Sequence, residues 1–168
     1  HRIDKDTSGL VVFAKHPLAH QRLDKQLQAR AIDRRYLALV WGRVEGEGGE
    51  VSLPIGLVEG HPVAREVQEG GQAATTTYEV VERFPEATLV RLKLGTGRTH
   101  QIRVHMAAIG HPLVGDGLYA EGRPGLLGRQ ALHAATIGFG QPMSGERLAF
   151  EAPLPEDFTS LLAHLRSA

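Results

Sequence analysis

An acidic residue just before an apolar run is the feature that most constrains this chain. Residues 1–10 read HRIDKDTSGL, so Asp4 opens a polar turn that leads into the apolar residues 10–13. A carboxylate at the mouth of such a strand lies at the edge of a core, where burial and a cationic partner can tune it. The same residues also suit an ordinary turn, because Asp and Ser side chains bond nearby backbone N–H groups and Gly adopts positive φ. Asp4 alone is therefore either a turn residue or a catalytic candidate.

The composition is typical of one globular domain. The chain has 168 residues, of which 42% are apolar and 23% charged, and this length allows a sizeable core. It contains no cysteine, which excludes disulfides and thiolate metal sites. Neither a signal peptide nor an apolar run long enough to span a membrane is visible in the sequence. We expect a cytoplasmic monomer with no membrane contact.

The charges are unevenly distributed, although the net charge is zero. Residues 1–43 contain nine Lys or Arg against four Asp or Glu, a net +5, and residues 93–133 contain five against two, a net +3. Residues 44–92 carry three against nine, a net −6, and residues 134–168 two against four, a net −2. Such asymmetry permits a basic face for phosphate contact, and it equally suits solvated charge on amphipathic surfaces.

Hydrophobic periodicity predicts an α+β domain with a largely antiparallel mixed sheet and flanking helices. The predicted strands are residues 10–14, 36–41, 51–55 and 131–139, with an antiparallel hairpin from residues 75–84 and 88–94. The predicted helices start at residues 16–17 and cover residues 99–109 and 155–165. The Gly- and Glu-rich residues 45–50 are expected to form a loop.

The helix predicted over residues 99–109 has Thr99 as its N-cap and Gly110 as its stop. Its inward stripe consists of Ile102, Met106 and Ile109, with His105 beside them. Arg103 lies off that stripe, in the first turns, and from there its side chain can point across a cleft instead of into the core.

Two segments together resemble the signature of the RluA-like family of RNA pseudouridine synthases. Residues 1–10 match the family block H-R-L-D-x-x-T-S-G-L with Ile3 in place of Leu, and residues 97–105 (GRTHQIRVH) match a second block in the family's order. The resemblance continues in residues 35–42 (RYLALVWG), 71–78 (GQAATTTY), 98–116 and 132–134 (LHA). It therefore covers nearly the whole chain.

The chain also departs from the family pattern. Gln72 stands where Lys is usual and Leu57 where Arg is common, and each change removes a cation that could meet RNA backbone. The family's catalytic domain normally begins with a strand and a Lys-Pro loop upstream of the first block, and many members carry a small RNA-binding domain before it. The resemblance thus implies that residues 1–168 are a pseudouridine synthase catalytic domain without that strand, loop or RNA-binding domain.

The resemblance implies an enzyme that isomerises specific uridines in ribosomal or transfer RNA, each flipped out of its stack. The reaction breaks the bond from ribose C1′ to uracil N1, rotates the base and forms a bond to C5. Asp4 is the implied essential carboxylate; attack on C1′, attack on C6 and proton abstraction all stay open. A carboxylate in a semi-buried site needs a cation. The resemblance assigns that role to Arg103, whose fork can bind a carboxylate through two hydrogen bonds.

Further roles follow from the same resemblance. Tyr36 would stack on the extracted uracil, and its hydroxyl could hydrogen-bond or assist a late proton transfer. Arg2 would either enter the RNA stack in place of the flipped base or contact phosphate or solvent. Arg98, His100 and Gln101 are assigned to RNA binding. No cofactor is expected.

Other kinds of site find less support in the sequence. Four histidines raise the question of a metal centre: His100, His105, His111 and His133. His100 and His105 are five residues apart and do not share a helical face well, and the chain has no Cys, so we expect no metal. Glycines near residues 95–97 could suggest a phosphate loop, but no G-x-x-x-x-G-K-[ST] motif is present.

Two rival functions remain at this point. A catalytically inactive RNA-binding relative of the same fold is the main alternative, and the presence of Asp4, Tyr36 and Arg103 counts against it. An unrelated hydrolase that pairs Asp4 with a His lacks a distinctive motif.

Overall fold

A seven-stranded sheet organises the chain, of which the computed structural model describes residues 1–167. The elements in chain order are β1 (Ser8–Gly9), α1 (Pro17–Gln28), β2 (Asp33–Trp41), β3 (Gly48–Val51), β4 (Ile55–Leu57), β5 (Arg65–Val67), β6 (Thr76–Arg83), β7 (Ala87–Leu94), α2 (Gln101–Ala108), β8 (Leu132–Gly140), β9 (Arg147–Glu151) and α3 (Glu156–Ser167). The sheet order is β1-β8-β2-β7-β6-β3, with β9 also paired to β8, while β4 and β5 form a separate hairpin. Only the β1–β8 pair among the described strands is parallel. The predicted α+β class with a largely antiparallel mixed sheet is confirmed.

Strand β2 is the centre of the fold because it contributes to two cores. Tyr36, Ala38 and Val40 pack in the core on the α2 side, whereas Leu39 and Trp41 pack in the core that includes α3. Alternate residues of a strand point to opposite faces, so the two helices lie on opposite faces of the sheet. A one-residue slip in register would exchange the two sets.

The predicted hairpin forms as β6 and β7, with Thr76 opposite Leu94 and a bulge between Val80 and Glu82. In β7 the side chains of Val90 and Leu92 are buried while those of the intervening Arg91 and Lys93 are exposed. The predicted period-two pattern therefore holds over residues 90–93, whereas residues 87–90 are all buried, Leu89 included.

The strand predicted for residues 10–14 is wrong, since β1 consists of Ser8–Gly9 alone. It pairs with residues 133–134 of β8, and β9 occupies the same edge of β8 from residue 136 onward. The apolar run therefore has no strand edge to extend along. Leu10, Val12 and Ala14 pack instead in a small core with Leu23 of α1, and Phe13 is 79% exposed.

The predicted boundaries are also wrong around residues 45–55. Strand β3 starts at Gly48, inside the predicted loop, and ends at Val51, while β4 starts only at Ile55. Pro54 has no amide hydrogen and so cannot donate within a continuous ladder. Strand β9 was not predicted; four of its five residues are exposed, and it is held by pairing with β8.

Helix α2 begins at Gln101, two residues later than predicted. The N-cap is His100, which has φ +56° and no side-chain capping hydrogen bond, so the predicted cap at Thr99 is wrong. The Gln101 side chain instead accepts a hydrogen bond from the Arg98 amide at 3.0 Å. The helix ends at Ala108, and Gly110, with φ +85°, is the predicted stop. Among residues 1–167 no helix combines the length and the apolar character that a membrane span requires.

Candidate active site

A cleft of about 530 Å³ opens between the first turn of the chain, the start of β2 and the loop before α2. Its lining includes Asp4, Tyr36 and four arginines: Arg2, Arg30, Arg34 and Arg98. Among the described residues that line it, Asp4 is the only carboxylate. Three of the arginines come from residues 1–43 and one from residues 93–133, so the two basic segments of the sequence meet at one cleft.

The turn that carries Asp4 is fastened at several points. The Thr7 amide donates to the Asp4 carbonyl oxygen at 3.1 Å. The Gln130 side chain donates to the Lys5 carbonyl at 2.5 Å and to the Thr7 hydroxyl at 3.1 Å. Strand β1 follows at once and pairs with β8. The Asp4 side chain, 16% exposed, is thus held at the edge of the core with its carboxylate in the cleft.

Arg103 lies behind Asp4 and is almost completely buried. Its Nη1 is 3.8 Å from Asp4 Oδ2, within ion-pair distance. Its Nε and Nη2 donate to the two carboxylate oxygens of Asp116, at 2.7 and 2.8 Å. Arg103 therefore makes its two-bond fork with Asp116, and not with Asp4 as expected from the sequence. The prediction that its side chain points away from the core is also wrong, because the side chain is buried.

The surroundings of Arg103 favour its charged form. Burial alone would lower the pKa of the guanidinium, but the hydrogen bonds and charge of Asp116, with the charge of Asp4, outweigh it and raise that pKa. Two carboxylates thus share one cation in a site of low exposure.

Asp116 is the functional candidate that the sequence analysis missed. Its side chain has no solvent exposure, and Oδ1 also accepts from the amides of Leu118 and Tyr119, at 3.0 and 3.2 Å. The preceding Gly115 has φ +73°, and a Cβ there would lie 2.2 Å from the Arg129 carbonyl oxygen. The available signal was an acid between two glycines, inside the matched segment of residues 98–116, with no partner assigned to it.

Tyr119 completes the support of Arg103. Its ring centroid is 4.9 Å from Arg103 Cζ, a cation–π distance. Its hydroxyl bonds to Nδ1 of His100 at 2.8 Å and accepts from the Arg65 amide at 2.9 Å. Burial and the charge of Arg103 lower the pKa of His100 against the opposing effects of Asp4 and Asp116, so the neutral ring is favoured. The hydrogen bond with Tyr119 turns the His100 ring toward that residue, and His100 is not among the residues that line the cleft.

Tyr36 reaches the cleft from β2 with only 5% of its surface exposed. Burial raises the pKa of its hydroxyl. The charge of Arg34 lowers that pKa and the charge of Asp4 raises it, and the net shift is upward. The phenol therefore stays protonated at neutral pH and can act as a hydrogen-bond donor. Its ring offers an aromatic surface beside the Asp4 carboxylate.

Gln101 is buried to 98% beneath the cleft. Its amide oxygen accepts from the Arg98 amide and from the Thr96 hydroxyl at 2.7 Å. Its amide nitrogen donates to the Thr75 carbonyl and the Thr76 hydroxyl, both at 2.9 Å. The side chain therefore fixes the loop that carries Arg98 to strand β6, and its polar groups are occupied by the protein.

The rim of the cleft is basic. Arg2 and Arg98 are exposed, and Arg98 Nε donates to the Ala73 carbonyl at 3.1 Å. Arg34, which the sequence analysis did not single out, donates from Nη2 to the Thr96 carbonyl at 3.3 Å, while its Nε has no partner among the described residues. Arg34 lies two residues before Tyr36 on the same strand, and this spacing was the available signal.

Two further histidines, His105 and His133, connect separate segments of the fold. His105 bonds to the Thr76 hydroxyl and the Leu53 carbonyl, both at 2.9 Å. His133 bonds to the Ser8 hydroxyl at 2.9 Å and the Ala152 carbonyl at 3.1 Å. Within residues 1–167 no three His, Asp or Glu side chains are grouped as metal ligands.

Comparison with known proteins places these features in context. The family model described as RNA pseudouridylate synthase matches residues 1–108. An uncharacterized RNA pseudouridine synthase of Bacillus subtilis, YhcT, is 47% identical over 163 residues, which are 96% of this chain and 54% of that protein. Ribosomal large subunit pseudouridine synthase D of Nitrosomonas europaea is 46% identical over 175 residues, 99% of this chain and 51% of its own length. The chain spans about half the length of the curated relatives it matches.

Solved structures share the fold. Human RNA pseudouridylate synthase domain containing 1 superposes with a TM-score of 0.79 at 28% identity, covering 100% of this chain and 79% of that structure. Human RNA pseudouridylate synthase domain containing 4 gives a TM-score of 0.81 at 25% identity, covering 99% of this chain and 74% of that structure.

Proposed function

Because this chain is an RluA-like member of the RNA pseudouridylate synthase family, we propose that its cleft isomerises uridine in ribosomal or transfer RNA to pseudouridine. The observation that carries the proposal is the meeting of Asp4 and Tyr36 in one cleft bordered by four arginines. A single carboxylate for chemistry, an aromatic surface for a base and cations for phosphates are what this reaction requires.

The basic rim accounts for RNA as the substrate. Arg2, Arg30, Arg34 and Arg98 surround the cleft of a chain whose net charge is zero, so its positive charge is concentrated where phosphates would approach. The volume of about 530 Å³ is in the usual range for small-molecule sites and can receive one extruded nucleotide. Action as a monomer in the cytoplasm is part of this proposal.

Asp4 is the reacting group in this proposal. The C1′–N1 bond of uridine breaks, the base rotates, C1′ bonds to C5, and the C5 proton is lost while N1 gains a proton. The product has the same atoms as the substrate, so no oxidant or reductant is consumed. Asp4 serves as nucleophile or as base, and the Arg103 guanidinium places a positive charge 3.8 Å from its Oδ2.

The remaining residues have supporting roles. Tyr36 stacks on the uracil, and Arg2 fills the vacated stack or binds phosphate. Arg98 binds RNA backbone from the loop that Gln101 holds in place. The contacts of His100 with Tyr119 and of Gln101 with β6 support positioning roles for both, in place of the direct RNA contact expected from the sequence.

The experiment uses the full-length protein and transcripts of ribosomal and transfer RNA made without modifications. Pseudouridine is separated chromatographically from uridine after digestion to nucleosides. The matched control is Asp4→Asn, which keeps the size of the side chain and removes its charge. We expect pseudouridine with the unchanged protein and none with the variant, at equal RNA affinity. RNA binding without pseudouridine from the unchanged protein would favour the inactive RNA-binding alternative.

A further inference from the structure

Asp116 is a buried carboxylate to which the reaction as described gives no role. Its side chain has no exposure, and both of its oxygens contact Arg103, at 2.7 and 2.8 Å. A buried ion pair is not in itself evidence of stabilisation, because desolvation can offset its Coulomb energy. Its contact with the same cation that faces Asp4 suggests another purpose.

The geometry limits how Arg103 can meet Asp4. With Nε and Nη2 bound to Asp116, only Nη1 is directed at Asp4, and it reaches Oδ2 at 3.8 Å. No hydrogen bond from residues 1–167 reaches the Asp4 carboxylate, which Arg103 approaches only to ion-pair distance. A fork bound to both Asp4 oxygens would give shorter and stronger charge-assisted hydrogen bonds, which the carboxylate would have to break in order to react.

Asp116 is itself fixed, so it can define the direction of the guanidinium. The amides of Leu118 and Tyr119 donate to its Oδ1, and the Tyr119 ring lies 4.9 Å from Arg103 Cζ. Gly115 permits this turn because a side chain there would collide with the Arg129 carbonyl. The next residue, Gln130, holds the turn that carries Asp4. Residues 115–130 therefore position both the turn that carries Asp4 and the guanidinium of Arg103.

We propose that Asp116 is a positioning residue for uridine isomerisation: it holds the fork of Arg103, so that Nη1 approaches Asp4 only to ion-pair distance and the Asp4 carboxylate stays available to the substrate. This inference rests on the proposed function. It assigns Asp116 an effect on the chemical step and none on RNA affinity, since Asp116 does not line the cleft.

The first test replaces Asp116 by Asn in the full-length protein and measures kcat and KM for pseudouridine formation. The variant presents an amide N–H₂ to one of the Arg103 donors, so the fork is released. We expect kcat to fall at least tenfold while KM changes less than twofold. Glu82→Gln is the matched control, because it breaks the two-bond pair of Glu82 with Arg166 at 2.9 and 2.6 Å, away from the cleft. It should leave both constants unchanged.

Loss of stability is controlled with Leu161→Ala in α3, which removes buried apolar surface on the opposite face of the sheet. All variants are assayed below their unfolding temperatures. If Leu161→Ala lowers kcat as much as Asp116→Asn at equal loss of Tm, or if Asp116→Asn keeps full kcat, the proposal is overturned.

A second measurement is independent of activity and does not need the Asp116 variant to fold. The Nε–H resonance of Arg103 is followed by ¹⁵N NMR, assigned by its loss in Arg103→Lys. We expect slow exchange in the unchanged protein and in Asp4→Asn, because Asp116 holds the Nε–H. Rapid exchange in Asp4→Asn would mean that Asp4 holds the fork, which overturns the proposal. Absence of pseudouridine with the unchanged protein would instead refute the proposed function, and the NMR result would still be readable.

Discussion

Helices α2 and α3 cover opposite faces of one sheet and differ in what they bury. Helix α3 buries Phe158, Leu161 and Leu162 and turns its charged residues to solvent. Helix α2 buries a stretch of six consecutive residues, Gln101 to Met106, half of which are polar or charged. The two helices therefore obtain their packing in different ways, although both rest on residues of β2.

This difference in buried side chains assigns stability mainly to α3 and function mainly to α2. The buried side chains of α3 need only to fill space, because apolar groups have no bonding requirements. The buried polar side chains of α2 each find partners: Gln101 bonds to β6, Arg103 to Asp116 and His105 to Leu53. Such groups gain little net stability, but they fix the loop and the cation beside Asp4. We therefore expect changes in α3 to lower stability and changes in α2 to lower activity.

The largest expected effect is on the α3 face. Phe158→Ala leaves a cavity where a fully buried ring had packed, so it should lower the free energy of unfolding by about 3–5 kcal/mol. Denaturant unfolding measures this loss, and kcat at a temperature where the variant is folded should be unchanged. A large fall in kcat in the folded variant would show that the two faces are not separate.

On the α2 face, Arg103→Lys keeps the charge and loses the fork that holds Asp116. The cation beside Asp4 is then misplaced, so we expect kcat for pseudouridine formation to fall about a hundredfold. RNA affinity, measured by filter binding, should be nearly unchanged. Equal activity of the Lys variant would contradict the role given to the fork.

Tyr36 tests the aromatic surface of the cleft. Tyr36→Phe keeps the ring, so RNA binding should persist, whereas Tyr36→Ala should weaken it by about 1–3 kcal/mol through lost stacking. Tyr78→Ala is the control, because Tyr78 packs against the same core without lining the cleft. Equal binding by the Phe and Ala variants would show that Tyr36 is not the stacking surface.

The smallest effect is a dependence of stability on pH. Burial lowers the pKa of His105, with the Leu53 hydrogen bond opposing, and the pKa of His100 is lowered as well. The unfolded chain therefore binds more protons, so stability is complete above the unfolded pKa of about 6.5 and declines as the pH falls below it. Thermal unfolding between pH 7.5 and 5.5 should show a falling Tm. His105→Gln should reduce that fall, and His164→Gln, on the exposed side of α3, should not.

The sequence predicted the features that depend on local pattern. Alternation in residues 88–94 gave β7, and the apolar spacing of residues 155–165 gave α3. The match of two long motifs led to the family. These succeed because period and motif are properties of the chain itself.

What the sequence could not predict depends on which segments meet. Residues 10–14 have a strand composition, but β9 occupies the edge of β8 that they would need. Asp116 is 13 residues from Arg103 in sequence, and no local pattern indicates that its carboxylate, and not that of Asp4, receives the fork. Likewise the sequence gives Gln101 the pattern of an exposed helix residue. Its burial and its hydrogen bonds follow from the packing of α2 against β6.

The central claim is that the cleft around Asp4 isomerises uridine in RNA. The most direct test maps pseudouridine in total RNA from cells that lack the protein and from the same cells supplied with the full-length protein or with Asp4→Asn. We predict that one or more uridines of ribosomal or transfer RNA lose the modification, and that the unchanged protein restores it while Asp4→Asn does not. A map that is the same with and without the protein, or that Asp4→Asn restores fully, would contradict the account.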